Sequence, residues 1–329
     1  MNFINILNHI LRPLEWVVAQ LLTLFHHALV TFGMTAGPSP AWGIAIMCLV
    51  LVIRICLLPL FLSQMRAMQR IQVLQPQIQR IQHKYAARKD PRSKEAMQRE
   101  IMALQQRYNA NPLGSCLPSL IQAPILCSLF YTLQSLPAIA DGNAEPLGGI
   151  DHTMAGDIES SSIFGVRIAD SFGTVASPQS RIIIGVAVAL MCLTLFAIQW
   201  MLIHRNTSKD AMVSPQFRVQ KMTVFVFPAI YVVSGATLPF GVLLYWLTNN
   251  LWNLGQTLCQ LRWFPTPGSA AGERKARRDY EQDNRRRAAA GLPSLEEERA
   301  MAAREEAKAR RERKQHKTPH LAKRSIVKR

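Results

Sequence analysis

The sequence predicts an all-α integral membrane protein: a five-helix transmembrane core, an N-terminal interfacial amphipathic helix and a cytoplasmic antiparallel helical hairpin. Three observations carry this prediction. The chain is 49% hydrophobic over 329 residues, yet its formal net charge is +17. Its apolar residues gather into blocks long enough to cross a bilayer, and its charges into the segments between them. Within the longest polar segment the apolar residues recur at spacings of three and four, which is a helical stripe.

Residues 1–40 place Arg12, Glu15, Gln20, Thr23, His26 and His27 along one helix face. A helix lying in the interface plane fits that stripe, and a full span over 14–33 is the rival. His26 and His27 read as polar-face residues rather than ligands. Gly37-Pro38-Ser39-Pro40 ends the helix. Residues 41–62 form the first core span. Residues 63–111 repeat Met65, Met68, Ile71, Leu74, Ile78, Ile81 and Tyr85, turn at Lys89-Asp90-Pro91, and resume with Met97, Ile101, Leu104 and Tyr108. Two such stripes joined by a short turn predict a helical hairpin, with Pro76 kinking or interrupting its first arm.

Residues 112–137 form the next span and contain Pro118, Gln122 and Pro124. Residues 138–178 form a polar loop carrying Asp141, Glu145, Asp151, Asp157, Glu159 and Asp170 against Arg167 alone. A span at 179–203 and a short basic loop at 204–221 follow. Residues 222–262 hold two spans joined at Leu238-Pro239-Phe240-Gly241, too tight for anything but a membrane hairpin. The tail, 263–329, is rich in Arg, Lys, Glu and Ala and is expected to be largely disordered. Its stretch 295–315 has the better helix formers. Lys and Arg mark cytoplasmic loops, and they gather in 63–111, 204–221 and the tail. The assignment alternates consistently and leaves the C-terminus in the cytoplasm. No cleavable signal peptide is evident.

Several chemistries are absent from the sequence. The six cysteines all lie in or beside apolar blocks, where they pack as small hydrophobes, and none forms a CxxC pair. GxxxxGK, HExxH and GxSxG are missing, so no catalytic residue, cofactor or metal is expected. No pair of carboxylates falls inside a span, which argues against a proton-coupled transporter.

One charge is out of place. Arg54 stands alone in the apolar run 41–61. A charge at membrane depth costs roughly 2.5–3.5 kcal/mol on insertion scales and by default marks a functional site. The plainer alternative is a side chain that snorkels to the interface. With Gln122, Gln199, Thr248 and Asn250, Arg54 is expected to form a hydrophilic, net positive groove. Gln134 and Asn249 read as helix–helix hydrogen bonds instead, worth about 0.6 kcal/mol on average.

The order of these features resembles the YidC-type membrane protein insertases. The resemblance rests on Arg54 and Pro59 ending an apolar span, then Leu74-Gln75-Pro76-Gln77-Ile78-Gln79, then Asn111-Pro112-Leu113-Gly114 with Leu117-Pro118 and Gln122-Ala123-Pro124. Leu238-Pro239-Phe240-Gly241, Tyr245-Trp246 and Asn250 complete it. It covers about residues 12–262 and matches a short bacterial form without the large extracytoplasmic domain. It implies a protein of the bacterial cell membrane that inserts and helps fold integral membrane proteins, alone or with the Sec translocon. The groove around Arg54 is implied to open to the cytoplasm. The implied partners are nascent membrane proteins, the Sec translocon, anionic lipids and, through the basic tail, the ribosome, with no small-molecule substrate. A membrane-anchored ribosome or RNA receptor is the alternative; a channel or solute transporter fits less well, lacking repeat symmetry and midplane ion ligands.

Overall fold

The computed structural model describes residues 3–88, 90–110, 117–209, 211–213 and 215–317. The segment 111–116, with the whole Asn-Pro-Leu-Gly motif, and the last residues of the tail lie outside the described residues. The fold is nearly all helical. Helix α1 (Phe3–Thr31) packs on α2 (Pro40–Cys56) and α5 (Leu117–Ala140). Its buried residues, Leu11, Val18, Ala19, Leu22, Thr23 and His26, share one face. The expected polar stripe is therefore partly a packing face. His26 is buried and stacks on Trp42 with ring centroids 3.8 Å apart, whereas His27 is exposed. Residues Leu11–Thr31 are long and apolar enough to cross a membrane.

The first core span differs from its expected form. The helix stops at Cys56, and α3 (Leu58–Tyr85) leaves at an angle of 54°. Pro59 explains the break, because it has no N–H to return to Ile55 and its ring crowds that carbonyl. Leu57 bridges the two helices and donates its own N–H to Ile53 O at 2.9 Å. Pro76 by contrast sits inside α3 without interrupting it. Packing outweighs the lost hydrogen bond there: Leu74 and Ile78 are buried beside Ala110 and against Ile101 and Leu104, the latter two on α4 (Pro91–Arg107). Asp90 caps α4 by accepting from Ser93 N at 2.8 Å. Lys84 reaches across to Glu100 at 2.9 Å, and that hydrogen bond holds the Glu100 carboxyl below its ordinary range. Leu74→Ala should remove the centre of this small cluster at a cost of roughly 2–4 kcal/mol. Hydrogen exchange would then accelerate across α3 and α4 while the helices between residues 178 and 263 stay protected.

The polar loop after α5 is an ordered cap. It holds α6 (His152–Ser160), whose N-cap Asp151 accepts from Met154 N at 2.7 Å. A two-stranded ribbon follows, β1 (Ser162–Ile163) and β2 (Val166–Arg167). Phe164 and Gly165 both have positive φ, as a two-residue hairpin turn requires. Alternating hydrophobic residues fold it down: Ile150, Ala155, Ile158 and Ile168 join α1, α2 and α5 in one core cluster. Ile163 and Val166 join α7 (Pro178–Asn206) and α9 (Phe240–Trp263) in a second.

Helix α9 is the central element, packed against α2 and α7, while α8 (Pro215–Thr237) packs mainly on α7. The N-terminal half of α9 is buried from Phe240 to Tyr245. Its leading N–H groups, which no helical carbonyl can satisfy, donate to the cap: Phe240 N to Asp170 O at 2.7 Å and Gly241 N to Ile168 O at 2.9 Å. Helices α1, α5, α7 and α8 are long and apolar enough to span, and α2 with α3 qualifies as one bent pair. Helix α9, expected as a span, is long enough but too polar to qualify, because Thr248, Asn249, Asn250, Asn253, Gln256 and Gln260 lie along it. A helix sheltered by its neighbours can carry such groups; one facing lipid cannot. The exposed stripe Ile182, Val186, Leu190, Leu193, Phe196 and Trp200 on α7 is the lipid-facing kind.

The basic tail departs from its expected disorder. As far as it is described, to residue 317, the segment from Glu273 on is a second compact unit, holding most of α10 (Ala270–Ala289) together with α11 (Leu295–Lys317). Local interactions suffice to make these helices. Lys275–Asp279 and Arg277–Glu281 pair one turn apart, at 2.6 and 2.9 Å. Ser294 and Glu297 form a capping box, Glu297 accepting from Ser294 N at 2.8 Å. Composition alone understated this, since the segment builds helix without burying a core.

Candidate functional site

The break at Leu57 positions the site. It leaves Arg54 in the last turn of α2, facing α9. Arg54 Nε donates to Asn249 Oδ1 at 2.8 Å, and Nη2 donates to the same oxygen. The guanidinium is half-buried in a cavity of about 560 Å³. Its lining combines polar groups, among them Arg54, Gln64, Gln122, Tyr231, Tyr245 and Asn249, with the apolar side chains of Leu57, Phe61, Leu126 and Phe227. Gln122 Nε2 donates to the Tyr245 hydroxyl, tying α5 to α9. Tyr231 stacks on Trp246 with ring centroids 5.0 Å apart. Among the described residues no carboxylate lines the cavity or pairs with Arg54. The site is therefore a hydrogen-bonding, net positive hollow lined in part by apolar side chains, and among the described residues no group of His, Cys, Asp or Glu could hold a metal ion.

The five residues expected to share this groove do not all meet. Arg54 and Gln122 line it together. Gln199 lines an adjoining hollow. Thr248 is buried on another face of α9, donates back to Leu244 O at 2.8 Å and borders a third, apolar hollow. Asn250 is 2% exposed and accepts a long 3.5 Å contact from the Tyr231 hydroxyl. The reason is helical phase. Tyr245, Asn249, Asn253 and Gln256 follow at spacings of four, four and three and so share one face. Thr248 and Asn250 fall off that face. The same spacing was visible in the sequence and would have picked out Asn253 and Gln256. Asn249 does make a helix–helix hydrogen bond, but its partner is the arginine itself.

Apolar helices packed around a half-buried cation, with lipid-compatible surfaces outside, define a polytopic membrane protein with an internal hydrophilic cavity. The family described as 60Kd inner membrane protein matches residues 34–266. The membrane protein insertase YidC of Bifidobacterium longum is 44% identical over 308 residues, covering 93% of this chain and 91% of that protein. The membrane protein insertase YidC of Tropheryma whipplei is 30% identical and covers 83% of this chain and 90% of that one. A solved structure of an active YidC insertase covers 76% of this chain and 46% of its own, at 23% identity and a TM-score of 0.42. The chain belongs to the 60Kd inner membrane protein family. With its apolar helices, that makes it a multi-pass protein of the bacterial inner membrane.

Proposed function

We propose that this membrane protein insertase acts by receiving the polar flank of a nascent membrane protein in the Arg54 cavity. The barrier to insertion is removing polar and charged groups from water. A wet hollow within the bilayer shortens the dry path. Arg54 attracts acidic residues of the translocating segment, and the following apolar helix then leaves for lipid, favoured by about 25 cal/mol per Å². The observation that carries this reading is the half-buried guanidinium with an amide, and no carboxylate among the described residues, as its partner. An amide orients the cation without neutralising it. No covalent step is needed, in keeping with a family of insertases rather than enzymes.

In this reading α2, α5, α7, α8 and α9 form the five-helix core, sheltering α9, and α1 spans beside it. The basic segments 63–111 and 204–221 and the tail lie in the cytoplasm, which the distribution of Lys and Arg supports. The groove comprises Arg54 and Gln122, continues into the adjoining hollow that Gln199 lines, and opens to that side; Thr248 and Asn250 lie on other faces of α9. The Sec translocon is a working partner, anionic lipids meet the basic hairpin, and the ribosome meets the tail. In a cysteine-free background, Gln122→Cys and Asn253→Cys should be labelled by an impermeant thiol reagent added from the cytoplasmic side. Protection of both from that side overturns the open groove. Removing 273–329 should abolish ribosome binding but leave Sec-independent insertion of short substrates at about half or more. Total loss would favour the receptor alternative.

A further inference from the structure

Beside the Arg54 cavity lies a second hollow of about 330 Å³, and the two share Phe61, Gln64, Asn253 and Gln256 in their walls. Among the described residues no charged side chain lines this second hollow, although the chain carries 38 Lys and Arg. Its polar surface is mostly carboxamide. Some of these groups are already engaged: Gln69 Nε2 donates to Phe264 O at 2.6 Å, Asn206 Oδ1 accepts from Thr266 N at 2.9 Å, and Gln64 is engaged too. The side chains of Gln72, Gln199, Gln220, Asn253, Gln256 and Gln260 have no hydrogen-bond partner among the described residues, and Gln72 Oε1 is fully buried in that state. They converge from α3, α7, α8 and α9. Met68, Leu195 and Leu202 also line the hollow.

The chemistry of this lining selects its ligand. A cation would be met by carboxylates and an anion by Lys or Arg; neither is present. A carboxamide offers donors and an acceptor together. That is the complement of a peptide group, with its one N–H and one C=O. Amides set among apolar side chains suit an extended chain, which alternates peptide groups with side chains. We infer that this hollow receives the unfolded backbone of the segment being moved, reading peptide groups rather than side chains. The inference rests on the insertase reading above and adds a division of labour. Arg54 discriminates by charge, and the amides hold any sequence on its way to or from the arginine.

The test compares two single-span substrates of equal length in vesicles containing only this protein. One has an acidic translocated end and the other a neutral Gly/Ser/Asn end. Gln199→Leu with Gln256→Leu should lower insertion of both substrates about equally, at least fivefold, in protein that remains monodisperse in detergent. An unchanged rate, or a loss confined to the acidic substrate, overturns the inference. Arg54→Ala in the same assay isolates the charge reading: if it spares the acidic substrate, that reading fails while the amide result stands. Should the double variant not fold, the unaltered protein serves. A photoreactive residue at Leu195 should capture the neutral peptide, and N-methylation of alternate peptide groups in its polar end should lower the yield at least threefold. An undiminished yield overturns the proposal.

Discussion

Arg54→Ala lowers the insertion rate of substrates with acidic translocated ends by between tenfold and a hundredfold, and leaves neutral ones within about threefold. The size follows from the electrostatics of the cavity. Two unit charges 4 Å apart at an effective dielectric near 20 attract by about 4 kcal/mol. Exchange with water in a cavity open on one side reduces this by roughly half, and each 1.4 kcal/mol is tenfold in rate. Arg54→Lys keeps the charge but loses the paired donation from Nε and Nη2 to Asn249 Oδ1. It should fall between the two, with a loss of about threefold to tenfold. Insertion into vesicles containing the purified protein measures all three. Unaltered rates for acidic substrates with Arg54→Ala would remove the arginine from the mechanism.

The second large effect is structural. Gly241→Leu should destabilise the bundle by roughly 2–3 kcal/mol, near the upper end of the usual cost of overpacking a core. A Cβ at this position would stand 2.7 Å from Ile168 Cγ2 and 3.1 Å from Leu133 Cδ1, so the cap, α5 and α9 meet here with no room for a side chain. The backbone conformation is ordinary; the constraint is purely the close approach. The same residue donates its N–H to Ile168 O, so displacing the cap also strands an N–H at the start of α9. Thermal unfolding in detergent should show the loss. Gly255→Ala, on the same helix but with no atom within 4 Å of its would-be Cβ, is the neutral control. Equal melting of the two variants would mean that the cap does not hold α9.

The two predictions divide between what is local and what is not. Arg54 was legible because a lone charge in an apolar run is conspicuous whatever surrounds it. The stripes of α3 and α4 were legible because Leu74, Ile78, Ile101 and Leu104 repeat with the helical period. The bend at Leu57 was within reach, since Pro59 follows it, whereas Pro76, expected to kink or interrupt its arm, is carried inside α3. Neighbouring contacts decide whether a proline ends a helix or is carried within it. The cap was hidden because Ile150, Ile158, Ile163 and Ile168 sit among acids and glycines. Their apolar faces line up only once α6 and the ribbon have formed.

What could be read residue by residue was the helical membrane class, the positions of the apolar blocks, and an arginine in need of a partner. Each follows from local composition or from a repeat of three to four residues. Folding in three dimensions chose Asn249 as that partner, sent Gln199 into a neighbouring hollow, turned Thr248 and Asn250 away, and placed α9 at the centre although it is too polar to face lipid. Those outcomes depend on which helices touch and at what rotation. That is set by side chains more than a hundred positions apart, which no local window contains.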